Sequence, residues 1–438
     1  VTRDPGAEAA AVGGAGARAG VRPGAERAWE ERVQRTAHPV VYPLLSRIRR
    51  PVVRVPGLGV VVADAEPFRA VLLDTASFTK TGPGSPAELW TPVLGPSVLL
   101  NMEGLDHLAL RRRLGPLFAP AYVGELTRAT IGEAAASLTA RLVAGETVDL
   151  VAEVREYAGR VISRLVGLER EVIGEDLFAR VSAVTGYVRL SRPRFTPAQV
   201  VAAREVLGEL TQHARRAYRE APEPSDDVAA ADAEGVAGAE GTAGAGAPGA
   251  VAATATTVPG RMRELGLSED EAMGAVGAFV LTGTETLVSY LPRMIAILAD
   301  TGWLDVLARD RTLVDAAVAE GLRVTTPSPV MLRSVQAEAS VGGVAVHPGD
   351  RLILATFLAD RAAGRFDPVG NPAASLKQLW FGAGVHFCLG APLAMAQIAT
   401  TLGAVLDAAA EAPLRVVSRR AQRGTLIPAY AHLSLARA

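Results

Sequence analysis

The only cysteine in this 438-residue chain, Cys388, stands in Phe381-Gly-Ala-Gly-Val-His-Phe-Cys-Leu-Gly390, and Ala391-Pro392 follows at once. Gly382, Gly384 and Gly390 allow a backbone to approach a flat ligand closely. Pro392 suits the first turn of a helix. A thiol at that helix start is expected to have a lowered pKa, because backbone N–H groups and the helix dipole favour the thiolate. A thiolate is a metal ligand. A lone thiol is also a common small core residue, so the argument rests on the aromatic, the glycines and His386 spaced around it. Thr282-Gly-Thr-Glu-Thr286 lies in a long apolar run. There Gly283 gives room, and the Thr286 hydroxyl and Glu285 carboxylate can pass protons. A helical threonine also bonds back to its own helix, but a carboxylate among apolar residues needs a partner or a task. Glu320-Gly-Leu-Arg323 and His107-Leu-Ala-Leu-Arg111 each place two polar side chains on one helix face.

Composition removes several classes of function. One cysteine makes neither an intrachain disulfide nor a four-cysteine zinc or iron–sulfur site. A formal charge of -1 and 5% aromatics give no basic, base-stacking surface for nucleic acid. Hydrophobic residues at 49% suffice for a large core. The longest apolar region, Ala272 to Leu298, is interrupted by Thr284, Glu285, Pro292 and Arg293, short of the ~20 clean residues of a membrane span. The expectation is a cytoplasmic chain without a signal segment or membrane span.

The elements that must hold these motifs read as mostly helical. Glu66 to Asp74, Leu105 to Phe118, Val123 to Val143, Ala152 to Gly167, Val172 to Leu190, Pro197 to Glu220, Leu313 to Arg323 and Ala391 to Ala410 carry helical apolar spacing. Ser268-Glu-Asp-Glu271 is a capping box for a helix reaching about Ala299. Pro292 should kink it. Pro51 to Val62 reads as a hairpin and Val330 to Thr356 as strands turning at Gly342-Gly343 and Pro348-Gly349; Val416 to Ala438 reads as irregular to β. Residues 1–27 and 221–257 are Ala/Gly-rich and too poor in large apolar side chains to fold by themselves. No repeat of 20–50 residues is visible.

Phe-Gly-x-Gly-x-His-x-Cys-x-Gly resembles the haem-binding loop of the cytochrome P-450 family. The other three motifs resemble that family's oxygen-activation segment, its Glu-x-x-Arg pair and its haem-propionate helix, in the family's order. The resemblance covers about Trp29 to Ala438. It implies a mainly α fold with a small β lobe in a single large domain, with 221–257 an insertion between helices G and H. It implies haem b held by Cys388 as axial thiolate and dioxygen as co-substrate. It implies propionate contacts from His107, Arg111, Arg333 and His386, and a loop shaped by Phe381, Gly382 and Gly390. Gly283, Glu285 and Thr286 would be catalytic; Glu320, Arg323 and Arg365 would be structural. Substrate contacts would come from Lys80 to Met102, Val181 to Phe195, Val324 to Leu332 and Ile427 to His432.

The implied activity is a monooxygenase that hydroxylates or epoxidises a mostly apolar small molecule, fed by a ferredoxin and its reductase, in a monomer. Alanine, glycine, valine and arginine are abundant and the only lysines are Lys80 and Lys377, a usage typical of GC-rich bacteria and associated with secondary metabolism. Two alternatives stay open: oxidative coupling or ring formation without oxygen insertion, and a catalytically silent haem protein that binds a partner. Met395 and Gln397 stand where bacterial relatives carry Arg and Glu, which removes charge from the expected partner face. Ala359-Asp360-Arg361 stands where Ala-Asn-Arg-Asp is frequent.

Overall fold

The computed structural model describes residues 22–168, 180, 183–188, 194–223, 257–361, 364–371 and 379–438. Its main helices are α1 (Arg27–Ala37), α2 (Ala65–Leu73), α3 (Pro86–Leu94), α4 (Gly104–Leu114), α5 (Pro120–Val143), α6 (Leu150–Leu165), α7 (Pro197–Arg219), α8 (Val258–Glu264), α9 (Glu269–Thr301), α10 (Trp303–Arg309), α11 (Val314–Thr325) and α12 (Ala391–Glu411). The strands are β1 (Val52–Val55), β2 (Gly59–Val62), β3 (Phe78–Thr79), β4 (Val148–Asp149), β5 (Met331–Val335), β6 (Ala339–Val341), β7 (Val344–Val346), β8 (Arg351–Leu354), β9 (Leu414–Ala421) and β10 (Tyr430–Arg437). The C-terminal stretch read as irregular to β is therefore a paired hairpin, β9 with β10. The helix expected over Val172 to Leu190 falls largely outside the described residues.

Helix α9 begins as its capping box requires. Ser268 Oγ accepts the Glu271 N–H at 3.3 Å, and Glu271 Oε2 accepts the Ser268 N–H at 2.9 Å. The helix continues through Pro292. One turn's polar needs near that proline are met from outside. Arg293, fully buried, donates to Glu30 of α1, to the Thr325 carbonyl at 2.6 Å and to the Pro428 carbonyl at 3.2 Å. Ser289 donates to the same Pro428 carbonyl at 2.6 Å. A buried charge is tolerated where it is paired and fully hydrogen-bonded.

Around α9 one hydrophobic cluster takes residues from α5, α6, α7, α8, α10, α11 and α12. A second cluster backs the five-stranded sheet, ordered β1-β2-β8-β5-β3, with Val60, Phe68, Phe78, Val335 and Leu352 at its centre. Strands β4, β10 and β9 form a separate sheet. Asp149 Oδ2 meets His432 Nδ1 at 2.7 Å, and the other ring nitrogen meets Ser418 Oγ at 2.9 Å, so one polar line ties all three strands.

Two expected boundaries move. The chain is anchored from Arg22, whose N–H donates to the Thr301 carbonyl at 2.7 Å, and Glu26 is buried, so residues 22–27 are not tail. Glu223, inside the expected insertion, pairs with Arg263 of α8 at 3.2 Å, and Thr257 caps α8 through the Gly260 N–H.

Candidate active site

The Cys388 loop is folded by its own backbone. The Cys388 N–H donates to the Phe381 carbonyl at 2.8 Å, and the Ala391 N–H to the Cys388 carbonyl at 3.3 Å. Gly384 adopts φ 64°, and a Cβ there would lie 3.1 Å from the Leu72 carbonyl, so only glycine lets the loop rest on the end of α2. Gly382 is also left-handed, at φ 77°. Gly390 has an ordinary φ of -80°. Phe381 and Phe387 meet edge to face at 6.0 Å.

Cys388 keeps accessible surface, yet protein surrounds it closely. These two facts agree if the thiol faces an enclosed space rather than bulk water. Burial raises its pKa; the N–H groups of Gly390 and Ala391 and the charges of Arg111 and Lys80 pull the other way without winning. The lowered thiol pKa expected from the helix start is thus corrected. Desolvation outweighs the two N–H groups and the nearby cations.

Around this thiol the fold collects cations. His107, near the start of α4, and His386, in the loop, lie ring to ring at 4.3 Å. Arg111 comes from the last turn of α4, and Arg333 is buried on β5. Two residues that the motifs did not single out complete the group. Glu103, the N-cap position of α4, accepts His386 Nε2 at 2.6 Å, Thr79 Oγ at 3.2 Å and the Lys80 N–H. Lys80 follows β3. Burial, then Arg333, lowers its ammonium to about 8. Burial lowers His107 to about 4 and Arg333 to about 10, and it lowers His386 and Arg111 as well. Burial alone would raise the Glu103 carboxyl, but the hydrogen bonds from His386 and Lys80 prevail and hold it at about 2. The Nδ1 atoms of His107 and His386 are buried without a hydrogen-bond partner among the described residues. Neither Lys80 nor Glu103 was legible from spacing, because their partners lie in other segments.

Along α9, Ala278, Phe279, Thr282, Gly283 and Thr286 keep accessible surface, while Val280, Leu281, Thr284, Glu285 and Leu287 are buried. The five share one face of the helix. An accessible stripe in the middle of a helix packed into the core lines an internal space. Thr286 donates to the Thr282 carbonyl at 3.0 Å, the back-bond that the sequence left open. The room expected at Gly283 is taken on its Cα side, where a Cβ would lie 3.0 Å from Ile162 Cδ1 of α6. Glu285 is buried, off the accessible stripe.

Glu320 and Arg323 pair on α11, with Arg323 Nε to Glu320 Oε2 at 2.7 Å. Arg323 also donates to the carbonyls of Asp360, Gly364 and Arg365 at 2.7, 3.1 and 3.0 Å. Arg365 was expected as a structural member of this group. It joins through its carbonyl, while its exposed side chain lies beside Gly24. Asn371 fills the place, donating to Glu320 Oε1 at 3.2 Å. Gln397 is buried, with its amide on the Leu393 carbonyl at 3.3 Å, so it takes no charge from an exposed face.

Comparison with known proteins bears on this arrangement. The profile of the family described as Cytochrome P450 matches residues 308–408. The erythromycin C-12 hydroxylase of Saccharopolyspora erythraea is 30% identical over 74% of this chain and 76% of its own length. The chain is a cytochrome P450. The mycinamicin IV hydroxylase/epoxidase of Micromonospora griseorubida is 28% identical over 70% of this chain and 71% of its own. Among solved structures, P450BioI in complex with an acyl carrier protein ligated to hexadec-9Z-enoic acid superposes with TM-score 0.71 at 19% identity, covering 93% of this chain and 99% of that one. The mycinamicin VIII C21 methyl hydroxylase of M. griseorubida gives 0.69 at 20%, covering 90% and 95%. Those likenesses show the P450 fold, mainly α with small sheets.

As a bacterial P450 monooxygenase the protein uses haem b and dioxygen. Its residues fit that cofactor. An enclosed thiol is available to iron, and buried cations with too few anions are available to the two haem carboxylates. When bound, haem supplies the iron centre at which dioxygen is activated.

Proposed function

We propose that this P450 hydroxylates or epoxidises a mostly apolar small molecule, an intermediate of secondary metabolism, with electrons delivered singly by a ferredoxin and its reductase in the cytoplasm. Cys388 ligates the haem iron, and His107, Arg111, Arg333 and His386 hold the propionates. The observation that carries the reading is the accessible stripe on α9, whose apolar members Ala278 and Phe279 alternate with the hydroxyls of Thr282 and Thr286. Such a lining excludes bulk water and leaves a few polar atoms to orient a ligand. The names of the hydroxylase relatives point the same way.

Thr286 has its proton on the Thr282 carbonyl. Its oxygen lone pairs are therefore free to accept, and the hydroxyl holds a water or ligand O–H before it releases a proton. Glu285, one residue earlier, is the nearest carboxylate in sequence to recharge it. The test is turnover with ferredoxin, reductase and NADH on macrolide-sized candidates chosen by a low- to high-spin shift. A product heavier by one oxygen atom is expected; loss of two hydrogens without oxygen would assign coupling instead, and no turnover would favour a binding protein. For the ligand itself, Cys388→Ser should abolish the thiolate Soret band of the reduced carbon monoxide complex. A mutant spectrum identical to wild type would remove Cys388 from the iron.

A further inference from the structure

The cation cluster beside Cys388 holds one member too many for the four propionate residues already assigned. In the β3–β5 ladder Phe78 faces Val335 and Thr79 faces Ser334; Lys80 follows the end of β3, and the charge of Arg333 on β5 acts on it. Like charges gathered in a buried place are costly unless an anion lies between or beside them. The carboxylate nearest to hand is Glu103, and both its oxygens are engaged, Oε1 by Thr79 and the Lys80 N–H, Oε2 by His386. Among the described residues, no carboxylate hydrogen bond reaches the Lys80 ammonium, and Arg333 donates only to the Leu332 carbonyl at 2.8 Å. Lys80 retains accessible surface although protein encloses it. Residue 80 therefore borders an enclosed space, as Cys388 does. Lys80, Arg111 and Arg333 gather about a single carboxylate, Glu103, and haem b brings two more.

We propose that Lys80 is a further haem-binding residue, its ammonium paired with a haem carboxylate, and that Glu103 is the positioning residue that fixes the Lys80 main chain and His386 about it. A buried ammonium without a counter-charge is costly, and a charge-assisted pair relieves that cost. The arrangement also links the segment after β3, the start of α4 and the cysteine loop through one carboxylate, so loading of haem consolidates three separate stretches of chain.

The test pairs a mutation with a change of cofactor. Holoprotein carrying haem b, or reconstituted with the haem dimethyl ester that lacks both carboxylates, gives up its haem to excess apomyoglobin. Lys80→Met should speed the loss of haem b about tenfold, the weight of one charge-assisted bond. It should leave the loss of the diester unchanged, and Lys80→Arg should restore the wild-type rate. The mutant should also lower the ferric/ferrous potential with haem b, since a nearby cation favours the more negative reduced centre. Equal acceleration with both cofactors, or none with haem b, would overturn the assignment. If Lys80→Met does not fold, wild-type protein serves. Lys80 and Lys377 are the only lysines, so acetylation read by peptide mass reports on Lys80 directly. Lys80 should react more slowly in the haem b form than in the diester form, and equal rates would overturn the proposal.

Discussion

Asp360 shows what a single atom can cost inside this fold. It is buried, and Arg323 takes its carbonyl rather than its carboxylate; Thr326 Oγ approaches Oδ2 only at 3.5 Å. Burial pushes its carboxyl well above the ordinary 3.8, against the pull of Arg323. The folded chain therefore keeps a proton that the unfolded chain has lost. Stability from this group is full below about pH 4 and falls as pH rises toward the folded value. Asp360→Asn removes the titration and keeps the shape. It should stabilise the protein at pH 7 to 8 by roughly 1–2 kcal/mol, and urea titrations at descending pH should show the gain shrinking toward pH 4. A gain independent of pH would assign it to packing. At this scale the sequence was legible where a motif fixed the spacing: His107, Arg111, Arg333, His386 and Cys388 are drawn into one neighbourhood. Lys80, Glu103 and Asn371 were not, because each acts on residues far away in the chain. Arg365 meets Arg323 through its carbonyl, a contact that no side-chain pattern encodes.

Among the elements, the longest was the most legible. Helix α9 declared itself through a capping box and a long apolar run. Helix α3 went unread although Ser85, Pro86 and Glu88 mark its start, and Ser85 Oγ does accept the Glu88 N–H at 3.4 Å. How closely elements approach was less visible still, because a glycine in a helix says nothing of what lies opposite. Gly321, between Glu320 and Arg323, is the sharpest instance. A Cβ there would collide with Met294 Sδ and lie 3.1 Å from Tyr290 Oη, both on α9. Met294 is fully buried and Tyr290 is held by the Val318 carbonyl at 2.8 Å, so neither yields easily. Gly321→Ala should cost about 1–3 kcal/mol in urea unfolding, and distinctly less when introduced into a Met294→Ala background, whose own cavity cost is measured separately. Equal costs of Gly321→Ala in the two backgrounds would show that α11 shifts as a body instead.

For the whole molecule, the question is whether the Ala/Gly-rich stretch divides the chain or only interrupts it. Residues 224–256 lie outside the described structure, but both flanks are firmly placed. Arg263 of α8 donates to the Tyr218 carbonyl at 3.1 Å and to Glu223 at 3.2 Å, across the gap. Leu207, Leu210 and Ala214 before it share a core cluster with Val258 and Met262 after it. We propose, on these contacts, that the stretch is an insertion in one domain. Closing a loop costs only about 0.6 kcal/mol per doubling of its length. Replacing 224–256 by a short Gly/Ser linker should therefore change unfolding free energy by less than about 2 kcal/mol, toward stability, in a single transition. The thiolate Soret band should be unchanged, since the flanks α7 and α8 supply none of the cysteine or cation residues. Two separated transitions in the parent protein, merging or disappearing on deletion, would mean that the stretch joins independently folding parts and that the shared core is not what holds them.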